Sequence, residues 1–411
     1  DIPHLTHALF PGTHCPLMGA AMAVGGIKDS LIVVVGTDEC TYYTKSMTIH
    51  SEKFGGIDGR CVSVVLDDHD VTFGSAEKVQ EAFKEIIEEY RLQCVFLVTT
   101  CVIEIIGDDF DAISEGLSKL YFIPVLPVHT EHFKCEDHLP GLERTITVCA
   151  EMMKSCDCDN SVNLLGQRMG DFATTELYAM LQKAGVKIGL QLPCGCSVDD
   201  IKNAAAAKVN IVVNDIALPL AQKMQEKFGI PYVYFNKFVI PEKIYEAYKN
   251  LFGYLELELP EELEGLYQNA REEIEKNKGE LEGITYIYGN TPYAVFEMNC
   301  FLSSLGMVPQ VIQTNRYTEA DEPYAKEILQ YTDPYVCKAA NIAPLQYVYD
   351  VLSPYLYLGH EFGNRLRQKG IAIVHSDRAS GMLGFEVTGY LLQQLVKSVR
   401  EAKEYRKELG L

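Results

Sequence analysis

Short apolar runs alternate with longer amphipathic stretches along most of the chain, and this alternation limits the folds that the chain can adopt. The runs are rich in Val, Ile, Leu, Phe and Tyr, and most are followed by a turn and then by residues with helical periodicity. Such a series is typical of parallel βαβ architecture, in which helices cover both faces of a sheet. The predicted strands are 30–37, 61–66, 94–100, 122–128, 162–167, 187–192, 209–215, 231–236, 284–290, 308–314, 346–351, 355–360 and 371–376.

Two breaks divide this series of strands into three groups. The first break is the polar segment KSCDCDNS at 154–161, and the second is the acidic helical stretch from Pro260 to Gly283. A chain of 411 residues is also too long for one ordinary core. We therefore expect an α/β fold of three Rossmann-like domains with doubly wound parallel sheets. Their predicted bounds are 1–155, 156–282 and 283–411, and the third domain closes with a C-terminal helix.

The charge and the first residues of the chain narrow its partners and its compartment. The net charge of −21 argues against nucleic acid, because phosphate binding requires clustered Lys and Arg. No apolar run approaches the roughly 20 residues that a membrane span requires. The opening DIPHLTHALFPGTHC lacks the basic and apolar regions of a secretory signal. The sequence therefore predicts a cytoplasmic protein without a membrane partner.

Three of the thirteen cysteines share one type of position. Cys15 directly precedes a predicted helix, Cys40 lies in the loop after strand 30–37, and Cys101 follows strand 94–100. The carboxyl ends of parallel strands meet at one edge of a sheet, so these thiols should converge there. Thiolates beside helix N-termini are suited to an iron–sulfur cluster. A cubane usually takes four ligands, so the fourth would come from a partner subunit or from another residue of this chain.

The segments that carry these cysteines resemble a known family. HCPLMGAAMAVGGIKDSLIVVVGTDECTYYT is similar to the N-terminal stretch of nitrogenase component 1 β-type subunits, and LVTTCVIEIIGDDFDAI is similar to their third cluster segment. DHDVTFGSAEKVQEAFKEI resembles the family's Phe-Gly-Gly helix start. The resemblance is strong over 12–114 and more diffuse over the rest of the chain, where NLLGQRMGDFATTEL, GHEFGNRLRQKGI and GMLGFEVTGYLLQ echo later family segments.

The resemblance implies a fold, a cofactor and partners. Family members have three Rossmann-like domains and hold a [4Fe-4S] or P-cluster-like iron–sulfur cluster between two related subunits. An ATP-dependent iron protein delivers electrons to that cluster. By resemblance, Cys15, Cys40 and Cys101 are the cluster ligands of this chain. Its expected partners are a homologous or identical component 1 subunit, in a dimer or heterotetramer, the iron protein and a small-molecule substrate.

Departures from the family pattern narrow the expected function. Catalytic α-type subunits bind the iron–molybdenum cofactor through a cysteine where this chain has Val213 or Asn214, and the context of His375 does not match the cofactor histidine. Ligands for an FeMo-type cofactor are therefore not evident. The interpretation preferred from the sequence is an electron-transfer subunit of a nitrogenase-like oxidoreductase. The alternative is a non-catalytic scaffold on which a nitrogenase-type metallocluster is assembled. The reduced substrate cannot be identified from the sequence.

Other residues are weaker candidates for ligands. Cys135, in the loop after strand 122–128, or the adjacent Glu136 is a possible additional ligand at the same edge. The Cys-x-Cys pairs in CDCD (156–159) and PCGCS (193–197) are too closely spaced for a zinc knuckle and are interpreted as loop or core cysteines. Core positions are also expected for three cysteines inside apolar segments: Cys61, Cys94 and Cys149.

Motifs for nucleotide hydrolysis and proton transfer are weak in this sequence. GQRMGDF (166–172) is most simply a tight turn after a strand, and the chain has no Walker motif, so ATP hydrolysis is expected in a partner. His360 and Glu361 are interpreted as the start of a helix after a strand. His129 and His132 lie near the predicted cluster edge, where they could relay protons.

Overall fold

The computed structural model describes residues 14–49, 60–135, 137–168, 170–289, 291, 293–314, 316–337 and 342–411. In these ranges the chain forms three larger parallel sheets, each packed against helices, and one two-stranded ladder. Every strand pairing among the described residues is parallel, as the βαβ pattern predicts. The α/β fold class is therefore confirmed. The domain bounds at 155/156 and 282/283 remain a prediction.

The first sheet has the strand order β3-β2-β4-β5. Its central strands, β2 and β4, are buried at every residue, as expected where helices cover both faces. Ile32, Val34 and Phe96 face one core, whereas Val33 and Leu97 face the other. Its strands are β2 (Ser30–Gly36), β3 (Cys61–Val65), β4 (Cys94–Thr99) and β5 (Val125–Val128).

In the part of the chain that the structure describes, seven α-helices accompany the first sheet. The core on one face includes residues of the helix that follows Cys15 and of the helix that contains Leu142 and Ile146, and the other face packs against Val79, Phe83 and Leu117. The helices are α1 (Pro16–Gly25), α2 (Asp38–Ile49), α3 (Asp68–Phe73), α4 (Ala76–Glu89), α5 (Cys101–Ile106), α6 (Phe110–Tyr121) and α7 (Leu139–Val148).

The second sheet has the order β10-β9-β6-β7 and shares a core with the first. Leu165 and Met224 belong to the same apolar cluster as Val34 and Phe96, so these two sheets are packed together through the helices between them. The strands are β6 (Val162–Gln167), β7 (Ile188–Pro193), β9 (Val209–Val212) and β10 (Tyr232–Tyr234), and its helices are α8 (Glu176–Lys183), α9 (Val198–Lys202), α10 (Leu218–Phe228) and α11 (Pro241–Leu255).

A separate two-stranded ladder ties the first part of the chain to the second. It pairs β1 (Ile27–Lys28), just after α1, with β8 (Cys196–Ser197), just after β7. Gly26 has no room for a side chain, because a Cβ there would overlap the carbonyl oxygen of Pro193. The carboxyl-terminal end of α1 is thereby fixed against the second sheet.

The third sheet has the order β13-β12-β11-β14-β15, and its main core includes Leu391 and Leu395 of the last helix. The strands are β11 (Thr285–Tyr288), β12 (Val308–Gln313), β13 (Tyr335–Cys337), β14 (Leu356–Leu358) and β15 (Ala372–Val374). The remaining helices are α12 (Leu263–Leu281), α13 (Val295–Ser304), α14 (Glu322–Tyr331), α15 (Ile342–Leu352), α16 (Gly363–Arg367) and α17 (Glu386–Leu409).

One predicted strand is wrong, because residues 346–351 form part of helix α15. Two side chains of this helix, Leu345 and Tyr349, are four residues apart and both buried, which is the spacing of one helical face. The β-branched and aromatic residues of QYVYDV favour a strand, but burial on one helical face outweighs that local preference. Three described strands are not predicted by the sequence: β1, β8 and β13, which have two or three residues each and are too short to give a clear pattern.

Helices α1 and α7 cross at close range through two glycines. A Cβ at Gly19 would overlap the carbonyl oxygen of His138, and a Cβ at Gly141 would overlap that of Pro16. Each glycine therefore lets the backbone of the other helix approach. The crossing fixes the start of α1, directly after Cys15, relative to the start of α7.

Candidate functional site

Cys15 is the residue that precedes the first turn of α1. Its backbone is extended, and Pro16 occupies the first helical position, where a missing N–H costs nothing. The thiol is half-buried and lies near the other two predicted ligands, since both Cys40 and Cys101 act electrostatically on it. Burial raises the pKa of the Cys15 thiol, and the N–H groups of Met18 and Leu17 oppose that rise.

Cys40 lies in the first turn of α2, four residues after the end of β2. Its sulfur accepts a hydrogen bond from the hydroxyl of Thr37 at 3.5 Å. The turn after β2 lies against Thr100, directly after β4. Gly36 allows this approach, because a Cβ there would overlap the Thr100 side chain. The ends of β2 and β4 therefore approach each other directly, and the helices after them begin side by side.

Cys101 is the first residue of α5, immediately after β4 and Thr100. Its Sγ accepts a hydrogen bond from the backbone N–H of His132 at 3.2 Å. The hydroxyl oxygen of Thr100 is buried and has no hydrogen-bond partner among the described residues. A buried polar atom without a partner is uncommon in proteins and is typical of a site that is completed by something other than the chain itself.

The three thiols thus meet at one edge of the first sheet, which we call the thiol edge (Cys15, Cys40 and Cys101). They do not form a set with all donor atoms within 4.8 Å of one another, which is the arrangement around a single ion. Ligands of a cluster attach to different metal atoms and stand further apart. Three thiols, N–H and hydroxyl donors to sulfur, and the unpartnered Thr100 hydroxyl fit an iron–sulfur cluster.

Cys135 lies in the loop that also carries His132, but its sulfur has different neighbours. Arg144 approaches Cys135 Sγ at 3.9 Å and also donates to Glu131 at 2.8 Å and to the carbonyl oxygen of His129 at 2.6 Å. Burial raises the pKa of the Cys135 thiol although Arg144 opposes the rise. Cys135 therefore belongs to the loop that covers Cys101, while Glu136 lies outside the described residues.

The other cysteines divide into core and surface groups. Cys61, Cys94 and Cys149 are buried in the first sheet's core, and Cys149 donates to the carbonyl oxygen of Thr145. In the Cys-x-Cys pairs, Cys156 and Cys158 are exposed, Cys194 is half-buried and Cys196 is buried.

Among the described residues, the one set of three close metal-ligating groups is Asp67, His69 and Asp70. Lys78 already forms ion pairs with both carboxylates, since its Nζ lies 3.0 Å from Asp67 and 2.6 Å from Asp70.

A hydrogen-bonded group beside the thiol edge has no signal in the sequence. Glu104, on α5, accepts from the hydroxyl of Thr99 and lies 2.7 Å from His129 Nδ1, and the other ring nitrogen of His129 lies 3.4 Å from Asp111. These residues belong to β4, α5, α6 and the loop after β5. The sequence indicates His129 as a single residue, and no pattern in it indicates the pairing with Glu104.

The residues compared with the FeMo-type cofactor ligands are Val213, Asn214 and His375, and each makes contacts within the fold of this chain. Val213 is fully buried in the second sheet's core. The side chain of Asn214 accepts from the N–H of Ile216 and so caps the short helical turn that follows. The backbone carbonyl of His375 accepts from the hydroxyl of Tyr390, and His360 Nε2 lies 3.3 Å from Asp377.

Comparisons with known proteins agree with this fold and with these motifs. A family model described as "Nitrogenase component 1 type Oxidoreductase" matches residues 15–400. The chain belongs to this family. A solved structure described as nitrogenase Cp1 at pH 6.5 superposes with a TM-score of 0.82 at 15% identity, covering 99% of this chain and 96% of the other. The doubly wound fold with three parallel sheets is therefore that of nitrogenase component 1.

The relatives with similar sequences are named as biosynthetic and catalytic proteins. The nitrogenase iron-molybdenum cofactor biosynthesis protein NifE of Clostridium pasteurianum is 30% identical over 53% of this chain and 49% of its own length. NifE of Rippkaea orientalis is 25% identical over 77% and 69%, and the nitrogenase molybdenum-iron protein alpha chain of Methanosarcina barkeri is 25% identical over 71% and 58%. The chain thus aligns with about half the length of the first of these relatives.

None of the described helices has the length and the apolar character that crossing a membrane requires.

Proposed function

We propose that this chain holds an iron–sulfur cluster through Cys15, Cys40 and Cys101 and serves as a scaffold subunit in the assembly of a nitrogenase-type metallocluster. The observation that carries the proposal is the convergence of three half-buried thiols at one edge of the first sheet. Bound there, the cluster supplies one-electron chemistry and a site at which sulfur and iron can be held. The preference for a scaffold over an enzyme is supported by the NifE relatives, whose names assign them to cofactor biosynthesis.

The chain's own residues would hold the sulfur atoms in place. The Thr37 hydroxyl donates to Cys40 Sγ, and the backbone N–H of His132 donates to Cys101 Sγ. The N-terminal turn of α1 lies beside Cys15. Hydrogen bonds to cluster thiolates lower the negative charge that builds up on sulfur. These donors come from two loops and one helix start, so they would also fix the direction from which each thiolate approaches.

The fourth ligand would come from a second component 1 subunit, homologous or identical to this one. Large apolar side chains stand exposed on the elements that carry the thiols: Tyr42 on α2, Ile105 on α5 and Phe133 in the His132 loop, at 73%, 73% and 56% exposure. Exposed apolar groups that surround a half-buried site are typical of a protein interface. A partner that covers them would also shield the cluster from water.

The second candidate is the electron-transfer subunit of a nitrogenase-like oxidoreductase, reduced by an ATP-dependent iron protein. It is favoured by the family as a whole and by the molybdenum-iron alpha chains among the relatives. It uses the same three thiols but requires a substrate site elsewhere in the complex. For either role we propose the cytoplasm as the compartment, because thirteen free cysteines suit reducing conditions.

Anaerobic purification of the full chain tests the cluster site. We expect iron and acid-labile sulfide in the wild type and an EPR signal after reduction, all of which are lost when Cys15, Cys40 and Cys101 are replaced by serine. The matched control is Cys156→Ser with Cys158→Ser, which removes two exposed thiols and should leave the iron content unchanged. Equal iron content in the triple variant and the wild type would overturn the proposal.

A second measurement separates the scaffold from the enzyme. The chain is loaded with labelled iron and mixed with an apo nitrogenase component 1 acceptor, and the label is followed after the two proteins are separated. Transfer of label to the acceptor, without repeated substrate reduction in the presence of an iron protein, supports the scaffold. Repeated reduction without transfer supports the electron-transfer subunit instead.

A further inference from the structure

The His132 loop, residues 131–135, supplies the N–H that reaches the sulfur of Cys101. The donor is the backbone N–H of His132, and its nitrogen lies 3.2 Å from Cys101 Sγ. A backbone donor cannot be moved by rotating a side chain, so its position depends on how the loop is held. The loop is a single 3₁₀ turn, in which the N–H of Cys135 donates to the carbonyl oxygen of His132 at 3.0 Å. Whatever fixes this short turn therefore fixes the hydrogen bond to Cys101.

The chain just before the loop is tied to strand β4. The hydroxyl of Thr130 donates to the carbonyl oxygen of Thr99 at 2.5 Å, and the N–H of Thr130 donates to the hydroxyl of Thr99 at 3.2 Å. Both threonines are buried. These bonds end one residue before the loop. They therefore set where the loop begins, and they do not set the direction in which it continues toward Cys101.

The loop itself is held by Arg144, on helix α7. Its Nη1 donates to the carboxylate of Glu131 at 2.8 Å and to the carbonyl oxygen of His129 at 2.6 Å, and its Nη2 lies 3.9 Å from Cys135 Sγ. The planar guanidinium thus contacts both ends of the loop at once. Among the described residues, the hydrogen bonds that join the loop to the rest of the chain involve Arg144 and Cys101.

The contact between Arg144 and Glu131 is a largely buried ion pair. Glu131 is 6% exposed, and Arg144 is half-buried. Burial acts to raise the pKa of Glu131, but its own N–H and Arg144 outweigh burial and hold that pKa below its usual value. The carboxylate is therefore ionised at neutral pH. A hydrogen bond between two charged groups is strong and directional, so this pair can hold the loop in one orientation.

Helix α7 is a firm support for the guanidinium. Gly141 lies one turn before Arg144 on the same helix, and it packs against the carbonyl oxygen of Pro16 at the start of α1. Pro16 directly follows Cys15. One helix therefore contacts the segment that presents Cys15 and also holds the loop that donates to Cys101.

We propose that Arg144 is a positioning residue of the thiol edge, which holds the His132 N–H on the sulfur of Cys101 and thereby sets the reduction potential of the cluster. This inference rests on the proposed function, since it concerns the cluster that the three thiols would hold. An N–H that donates to a cluster thiolate stabilises the reduced, more negative state, so a well-placed donor makes the cluster easier to reduce. The described hydrogen bonds of Arg144 go to the loop and to His129, so it acts through His132.

Hydrogen exchange and redox titration of the anaerobically purified full chain test this inference. Amide exchange reports whether the His132 N–H stays bonded, and an EPR-monitored titration gives the reduction potential. Arg144→Gln should speed exchange of this N–H roughly tenfold or more, because a charged hydrogen bond that holds the loop is lost. It should also make the potential more negative. Exchange at the wild-type rate in Arg144→Gln overturns the inference.

Glu131→Leu separates positioning from the charge of the guanidinium. Removing a carboxylate near the cluster favours the reduced state electrostatically, so a pure effect of charge predicts a less negative potential. Loss of the contact that holds the loop predicts faster exchange of the His132 N–H and a more negative potential. The two explanations differ in the sign of the shift. A potential of Glu131→Leu that is unchanged or less negative contradicts the positioning role.

Arg400→Gln is the matched control, because it also removes an arginine bound to a glutamate. Arg400 lies on α17, and its Nε and Nη2 are 3.1 Å and 2.7 Å from Glu280. This variant should keep the wild-type exchange at His132 and the wild-type potential. Equal shifts in Arg400→Gln and Arg144→Gln would mean that general loosening of the fold is the cause, against the proposed role.

Iron analysis distinguishes failure of this inference from failure of the cluster proposal. A wild-type chain without iron contradicts the cluster, while exchange at His132 still decides whether Arg144 holds the loop. A wild-type chain with iron whose potential is the same in Arg144→Gln contradicts the positioning role alone.

Discussion

The thiol edge and the contact between His138 and Arg168 are built in opposite ways. The three thiols sit before or within the first turns of helices, are half-buried and are surrounded by exposed apolar side chains such as Tyr42 and Ile105. His138 Nε2 and Arg168 Nη2 lie 3.2 Å apart, where the start of α7 meets the end of β6. An open edge suits a group shared with another protein subunit, whereas a contact between two elements of one chain suits a structural role.

The largest effect is expected where the two regions are mechanically joined, at the crossing of α1 and α7. Gly141→Ala places a methyl group against the carbonyl oxygen of Pro16, so the helices must separate. We expect a loss of about 3 kcal/mol in the free energy of unfolding, as is typical when a close-packed contact is overfilled. Chemical denaturation measures it, and iron analysis should show a parallel loss of cluster.

A second glycine in a helix provides the control for that substitution. Gly116 lies in α6, and no atom lies within 4 Å of the position that a Cβ would take there. Gly116→Ala should therefore stabilise the chain by roughly 0.5–1 kcal/mol through helix propensity. If Gly141→Ala were equally benign, the two regions would not be coupled through this crossing.

A smaller effect is expected from protonation of His138. Burial, with Arg168 adding to it, lowers the pKa of His138 to about 4. In the unfolded chain this histidine takes up its proton near pH 6.5. The unfolded state therefore binds the proton first as the pH falls, so stability is lost between about pH 6.5 and pH 4. The loss should be on the order of 2 kcal/mol.

His138→Gln isolates that pH dependence, because glutamine can still accept a hydrogen bond from Arg168 but does not titrate. Unfolding in urea at a series of pH values should give a flatter profile for the variant than for the wild type over this interval. Identical profiles would mean that the His138 ring is freely hydrated in the folded chain.

The smallest effect is expected at the thiol edge itself. Thr37→Val removes the hydroxyl that donates to Cys40 at 3.5 Å while keeping the shape of the side chain. A long bond to sulfur should contribute less than about 1 kcal/mol to stability. In the cluster-loaded protein the reduction potential, measured by EPR-monitored titration, should become more negative, because one donor to a thiolate is lost. An unchanged potential would remove Thr37 from the site.

The difference between the two regions also explains what the sequence could predict. Cys15, Cys40 and Cys101 each sit at a local signal, the junction between an apolar strand or loop and a helix, and parallel strands bring such junctions together. His138 and Arg168 lack a shared local signal, and their contact depends on how the first two sheets are packed. The residues around Arg168 predict only a tight turn.

Errors in the strand prediction have the same origin. QYVYDV has the composition of a strand but lies in α15, because burial of Leu345 and Tyr349 on one face is a tertiary property. The pairing of His129 with Glu104 likewise joins residues 25 positions apart that carry no common motif. Local periodicity therefore predicts elements and edges, and it does not predict which edges face each other.

The ladder between β1 and β8 has a mechanical consequence for the cluster edge. Helix α1 carries Cys15 at one end and, at the other, runs through Gly26 into the strand paired with Cys196. Ten helical residues form a stiff rod of about 15 Å. A rod anchored at its far end transmits displacement rather than absorbing it. A shift of the second sheet therefore displaces Cys15 along the axis of α1.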